Sequence, residues 1–169
     1  MRKPILLAAF IGVLSCNSPL DVLRDKGPLL RTEGVEFQMI HHDPGGWEVT
    51  IPYSYTNDTG SKVLLANCLG HVPPRLEMKR EKQWVTAWVA VELLCAGAPI
   101  EIKEGSVYRD TLHVYAAPFG SKSGPQFAFE DPEGTYRLRW DRAFWERISK
   151  GGALPLKFRI SNEIVLKDS

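Results

Sequence analysis

Long apolar runs are missing from this chain. The longest mainly apolar stretch, residues 5–14, is ten residues with Gly12 inside it. That is far short of the ~20 that a membrane-spanning helix needs. A charge excess is missing as well: 21 Lys and Arg stand against 20 Asp and Glu, which leaves no electrostatic footprint for nucleic acid. There is no G-x-S-x-G elbow, no Gly-rich phosphate loop and no C-x-x-C pair, so the common sequence signatures of serine hydrolases, nucleotide enzymes and thiol redox proteins are absent. Cysteine itself is scarce, with Cys16, Cys68 and Cys95 alone. Glycine and proline are plentiful, at 14 and 12, and most fall between apolar stretches. That spacing favours many short strands over long helices.

The start of the chain is laid out as an address. Arg2 and Lys3 precede the apolar run, and the small residue Ser15 follows it, as in a secretory signal. Residues 1–15 are therefore read as a cleaved signal peptide. The string Val13, Leu14, Ser15, Cys16 resembles the lipobox of bacterial lipoproteins. That resemblance implies that Cys16 is acylated through its thiol, becomes the new N-terminus and holds the protein on a membrane. Asn17 is not the Asp associated with inner-membrane retention in enteric bacteria, which favours the outer membrane. The alternative is an ordinary signal peptide cut at the same place. It leaves Cys16 as an exposed free thiol and an odd cysteine in an exported protein. Loss of Arg2 and Lys3 brings the mature net charge to about −1. The remaining length suits one domain with a sizeable core.

Residues 16–34 carry Pro19, Gly27, Pro28 and Gly34 among mixed charges and read as a tether. Strands are expected from residue 35 onward: residues 35–39; residues 47–55 with Trp47, Val49, Ile51, Tyr53 and Tyr55 on one face; residues 62–66; a hairpin of 75–78 and 84–91; residues 106–115; residues 134–140; and residues 156–160 and 164–166. Pro52 suggests an edge or a bulge. One short helix is expected after a cap at Asp141, with Phe144 and Ile148 at i and i+4 and Gly151-Gly152 as its stop. The fold class that follows is an all-β, antiparallel sandwich of seven to eight strands over residues 35–169. The placing of Asn57, Cys68, the Trp84-Val85 hairpin arm, Gly105, the Gly134 to Leu138 run and Ser161-Asn162 resembles immunoglobulin-like domains of bacterial envelope lipoproteins. There is also a similarity to the Bacillus intracellular proteinase inhibitor family.

Few residues offer chemistry. Cys68 and Cys95 suit a disulfide in an oxidising compartment; a metal or redox pair would need closer ligand spacing. His41, His42 and Asp43 are the one compact group of metal-capable side chains, and a polar turn is their simpler reading. Glu130, Asp131 and Glu133 form a carboxylate group around a turn, where acids are usually solvated, so no catalytic pair is assigned. Trp84 and Trp88 are expected on one strand face, with most tryptophans in the core and Trp47 the most exposed. Function is placed on loops, above all on residues 117–125, whose tip is Phe119, Gly120, Ser121, Lys122 and Ser123. The Phe119 ring is expected to fold back on the core, with a waiting partner as the alternative. The function expected is a lipid-anchored, monomeric, non-enzymatic binding or assembly module with an envelope protein partner and no cofactor, metal or nucleic acid. The alternative is a proteinase inhibitor that presents the same loop.

Overall fold

The computed structural model describes residues 28–70, 72–91, 97–122, 124–145 and 152–169. Among them run eleven strands and one 3-10 turn: β1 (Leu30–Thr32), β2 (Glu36–His42), β3 (Gly46–Thr56), β4 (Val63–Asn67), β5 (Arg75–Arg80), β6 (Gln83–Trp88), β7 (Gly97–Ile102), β8 (Val107–Ala116), β9 (Gly134–Arg139), β10 (Ala143–Trp145), the turn Leu156–Phe158, and β11 (Ile164–Asp168). They form an eight-stranded sheet and a three-stranded sheet around one continuous apolar core, an all-β sandwich.

The spine of the fold is the antiparallel pair β3·β8, in register from Trp47 opposite Ala116 to Thr56 opposite Val107. Strict alternation makes this pairing decisive, because a slip of one residue would turn the buried face outward. Val49, Ile51, Tyr53 and Tyr55 on β3 and Leu112 and Val114 on β8 are buried. Pro52 lies neither at an edge nor in a bulge. Its carbonyl accepts from the Glu33 N–H at 2.9 Å, so its missing donor faces away from β8. There the neighbour of β3 changes from β2 to β1, and the β8 ladder loses nothing.

β2 is a corner strand. Residues 36–39 pair in parallel with β11, and Ile40, His41 and His42 pair antiparallel with β3. Among the described residues, this parallel pair is the exception among the strand pairs of an otherwise antiparallel sandwich. Parallel neighbours need a long connection, and here nearly the whole domain supplies it. β9, β5 and β6 continue the sheet beyond β11, while β10, β4 and β7 make the smaller sheet.

Four further expectations are revised. The sequence suggests a tether to residue 34, but β1 pairs with β3 from Leu30 opposite Tyr55 and Leu30 is fully buried. The domain therefore already includes Leu29 and Leu30. Residues 16–27 lie outside the described residues. The expected helix after Asp141 begins instead as β10, with Ala143 opposite Leu65 and Trp145 opposite Val63. The free side of β4 supplies backbone partners that a marginal short helix could not better; residues 146–151 lie outside the described residues. The strand expected at 156–160 is a 3-10 turn, closed by Phe158 N–H to Pro155 O at 3.0 Å and Arg159 N–H to Leu156 O at 2.9 Å. Only Ile160 bridges to Arg139. Last, Trp84 and Trp88 do not share an environment. The β5·β6 register shifts between Leu76 and Glu77, and such a bulge reverses the alternation. Trp88 enters the core, while Trp84 lies under the Arg137 guanidinium at 4.4 Å.

Trp140 is the hub of the core. It is fully buried, with the rings of Tyr53, Tyr55 and Tyr108 at 6.1, 5.0 and 6.1 Å. Its indole N–H donates to Val72 O at 3.2 Å. Tyr53 and Tyr108 hydroxyls reach Asp110 Oδ2 at 3.1 and 2.8 Å. Burial, reinforced by that carboxylate, raises both phenols well above their ordinary range.

Candidate functional site

An aromatic cleft opens where the end of the β3·β8 pair runs into the loop singled out by sequence. Its lining includes His41, Trp47, Pro118, Phe119, Phe129 and Glu130, with Phe127 at its base, around a volume of about 320 Å³. Three stretches of chain build it. β2 and β3 bring His41 opposite Trp47, their rings 4.8 Å apart. β8 ends opposite the same Trp47 and passes directly into Ala117, Pro118 and Phe119. Residues 126–130 close the third side, anchored by Ala128 N–H to Ala87 O at 2.8 Å on β6.

The loop is held rather than extended. Ala117 N–H donates to Pro125 O at 2.8 Å, and Ser121 N–H to Pro118 O at 3.0 Å. The Gln126 side chain clamps the tip from both sides. Its Oε1 accepts from Gly120 N–H at 2.7 Å, and its Nε2 donates to Ser121 O at 2.9 Å. Gly120 sits at φ 76°, where a side chain would be strained. Gly45, at φ 114°, lets the β2–β3 turn lie against Pro118, with a Cβ there 3.6 Å from the proline Cβ. Lys122 is exposed, and Ser123 lies outside the described residues.

Within this frame the Phe119 ring stands 54 % exposed. The expectation that it folds back on the core is corrected. The Gln126 clamp fixes the backbone that follows the ring, at Gly120 and Ser121, and the core position beneath is already filled by Phe127, 2 % exposed and packed on Tyr136 at 6.3 Å. Phe129 carries the Arg80 guanidinium on one face at 4.4 Å. Glu130 is exposed and holds no hydrogen bond or ion pair among the described residues. Its neighbours in sequence are used locally: Asp131 Oδ1 accepts from Glu133 N–H at 3.0 Å, and Glu133 Oε1 from Asp168 N–H at 2.7 Å.

The remaining candidates separate. His41 and His42 sit on strand β2 rather than in a loop and diverge as adjacent strand residues must. His42 Nε2 lies 3.1 Å from Glu48 Oε2, away from the His41–Trp47 contact. No group of three metal-capable side chains occurs among the described residues. His113 is exposed on β8, and His71 lies outside the described residues. Cys68 follows β4 and is buried at 8 % exposure; Cys95 and Cys16 lie outside the described residues.

A larger groove of about 450 Å³ includes Pro28, Leu29, Trp84, Arg137 and Phe158. Its polar groups are already engaged. Arg137 binds Glu77 at 2.6 and 2.8 Å, Glu163 takes Lys79 at 2.9 Å, and Asn162 holds Thr32. The Glu77 carboxylate, 2 % exposed, also accepts from Arg139 at 2.8 Å and Arg75 at 3.1 Å. Burial alone would push Glu77 up. The Arg137 and Arg139 hydrogen bonds and charges outweigh it and hold the carboxyl below its usual range. This cluster is a built ion network that ties β5 to β9, and its role is structural.

Sequence reasoning found Phe119 and its loop but missed Gln126, Phe127 and Phe129. Gln126 is a lone amide without a motif, and its clamp exists only once the loop closes. Comparison with protein-family models, curated proteins and solved structures finds no match to this chain.

Proposed function

We propose that the protein is a lipid-anchored, monomeric, non-enzymatic binding module of the cell envelope, with the cleft between Trp47, Phe119 and Phe129 as its recognition surface. One observation carries the recognition surface. A large aromatic ring is held half-exposed by a built loop, over a cavity already lined with aromatic side chains. Holding Phe119 in place before binding lowers the ordering cost that a partner would otherwise meet.

Anchoring rests on the sequence: the signal layout and the lipobox-like Val13 to Cys16 string. The outer membrane is favoured by Asn17. Eleven residues separate Cys16 from Pro28, a tether that reaches roughly 40 Å when extended. A Cys68–Cys95 disulfide fits the same compartment and brings the odd cysteine count to order. Its support in the fold stops at register: Asn67, the residue before Cys68, faces Gly97 of β7, and Cys95 lies outside the described residues. The immunoglobulin-like resemblance fits the sandwich but names no activity. The inhibitor alternative gains nothing from the loop, because a substrate-like loop needs extended backbone and this one is folded around Gln126.

Lipid labelling and partner recovery test the proposal together. Cys16→Ser should abolish acyl labelling, and Phe119→Ala should keep labelling and fold while losing the envelope partner that co-purifies with the wild type. Unmodified Cys16 in the wild type would end the anchoring half, and partner recovery unchanged by Phe119→Ala would end the recognition half.

A further inference from the structure

Among the described residues, Glu130 is the only acid of the cleft, and neither a lysine nor an arginine lines it. An unpaired carboxylate beside exposed π faces is an attractive site for a cation, because ring quadrupoles and the carboxylate act in the same direction. We propose that the cleft receives an arginine side chain of the envelope partner, its guanidinium set against the aromatic wall of Trp47 and Phe119 and paired with Glu130. The inference rests on the reading of this cleft as the recognition surface.

Three observations favour arginine over other occupants. About 320 Å³ lies at the small end of ligand cavities and suits one inserted side chain rather than a large ligand. The walls are aromatic and the acid is single, which matches a planar, weakly hydrated guanidinium better than a compact, strongly hydrated ammonium. The domain uses the same pairing elsewhere, with Arg80 on Phe129 and Arg137 on Trp84, each at 4.4 Å. Arg80 takes only one face of Phe129 and does not line the cleft. Arginine is also among the residues over-represented where a few side chains carry an interface.

The charge can be tested apart from the shape. The full mature chain, in a sugar-based non-ionic detergent, is titrated with acetyl-Gly-Arg-Gly-amide and with the same peptide carrying citrulline, the neutral isostere of arginine. The Trp47 indole N–H resonance, assigned with Trp47→Phe, reports binding. The arginine peptide should shift it saturably, the citrulline peptide roughly tenfold more weakly, and Glu130→Gln should erase the difference. Glu130→Gln removes no packed group, so its fold is checked simply by an unchanged thermal midpoint. Equal binding of both peptides would overturn the cation inference and leave the cleft reading standing. Saturable binding of choline instead, with the same Glu130 dependence, would overturn arginine as occupant. No shift by either peptide at ~10 mM, an affinity below any useful anchor, would also overturn it. The cleft reading itself falls only if Phe119→Ala leaves partner recovery intact.

Discussion

Replacing Glu77 with glutamine probes the most concentrated electrostatic feature of the fold. The carboxylate accepts four hydrogen bonds from three guanidinium groups, at 2.6 to 3.1 Å, while itself 2 % exposed. Glutamine keeps the volume but offers one oxygen where two stood and turns an amide N–H₂ toward donors. Removing one partner of a buried ion cluster costs about 3–5 kcal/mol. The arginine side chains here are 13 to 26 % exposed, so water and ions recover part of that loss, and about 2–4 kcal/mol is expected at pH 7. The sign with pH follows from the lowered carboxyl. Its stabilisation is complete above the ordinary value of 4.5 and is lost as pH falls through the lower folded value. Wild type should therefore lose its advantage over Glu77→Gln progressively below about pH 4. Urea unfolding followed by tryptophan fluorescence, at pH 7 and in steps from pH 5 to pH 3, measures both quantities. A cost under about 1 kcal/mol at pH 7, or a gap that stays constant down to pH 3, would refute the reasoning.

Three further outcomes follow from burial and register. Phe119→Ala should change unfolding free energy by only about 1 kcal/mol, because half of the ring is already in water, against ~3–5 for an emptied core site; a larger loss in urea melts would show that the ring is core. Leu30→Ala should cost about 2–5 kcal/mol, since Leu30 is fully buried opposite Tyr55, whereas a wild-type midpoint would return residues 28–32 to the tether. Cys68→Ala should cost about 2–5 kcal/mol under oxidising conditions and much less than that relative to a reduced wild type. Two reactive thiols in the oxidised, denatured domain starting after Cys16 would rule the bridge out.

The parts of the fold legible in sequence were those with strict alternation and enough length. β3, β8 and β9 announce themselves through Val49-Ile51-Tyr53-Tyr55, Leu112-Val114 and Tyr136-Leu138, each a buried row. β1 is hidden because its three residues, Leu30–Thr32, are too few to show a period, although Leu30 packs as deeply as any. β7 is hidden by Gly97 and Pro99. The proline is tolerated because β7 lies at the edge of its sheet, and a Cβ on Gly97 would meet Asn67 Nδ2 at 2.9 Å. Phe144 and Ile148 mimic a helical face in the sequence, and the open side of β4 decides for a strand at Ala143–Trp145. For the site, composition marked the loop around Phe119, but no local pattern joins it to residues some 70 positions earlier. Trp47 and His41 arrive through the β2·β3·β8 register, which periodicity cannot supply.

The central claim, that the anchored protein engages its partner through the cleft, is tested most directly in the native cell. A photoreactive amino acid is placed at Phe119 and, as control, at Glu104 in the exposed turn before β8. Irradiation should join position 119 to one envelope protein and position 104 to none, and Glu130→Gln should weaken the adduct from 119. Identical adducts from both positions, or none from 119, would contradict the account.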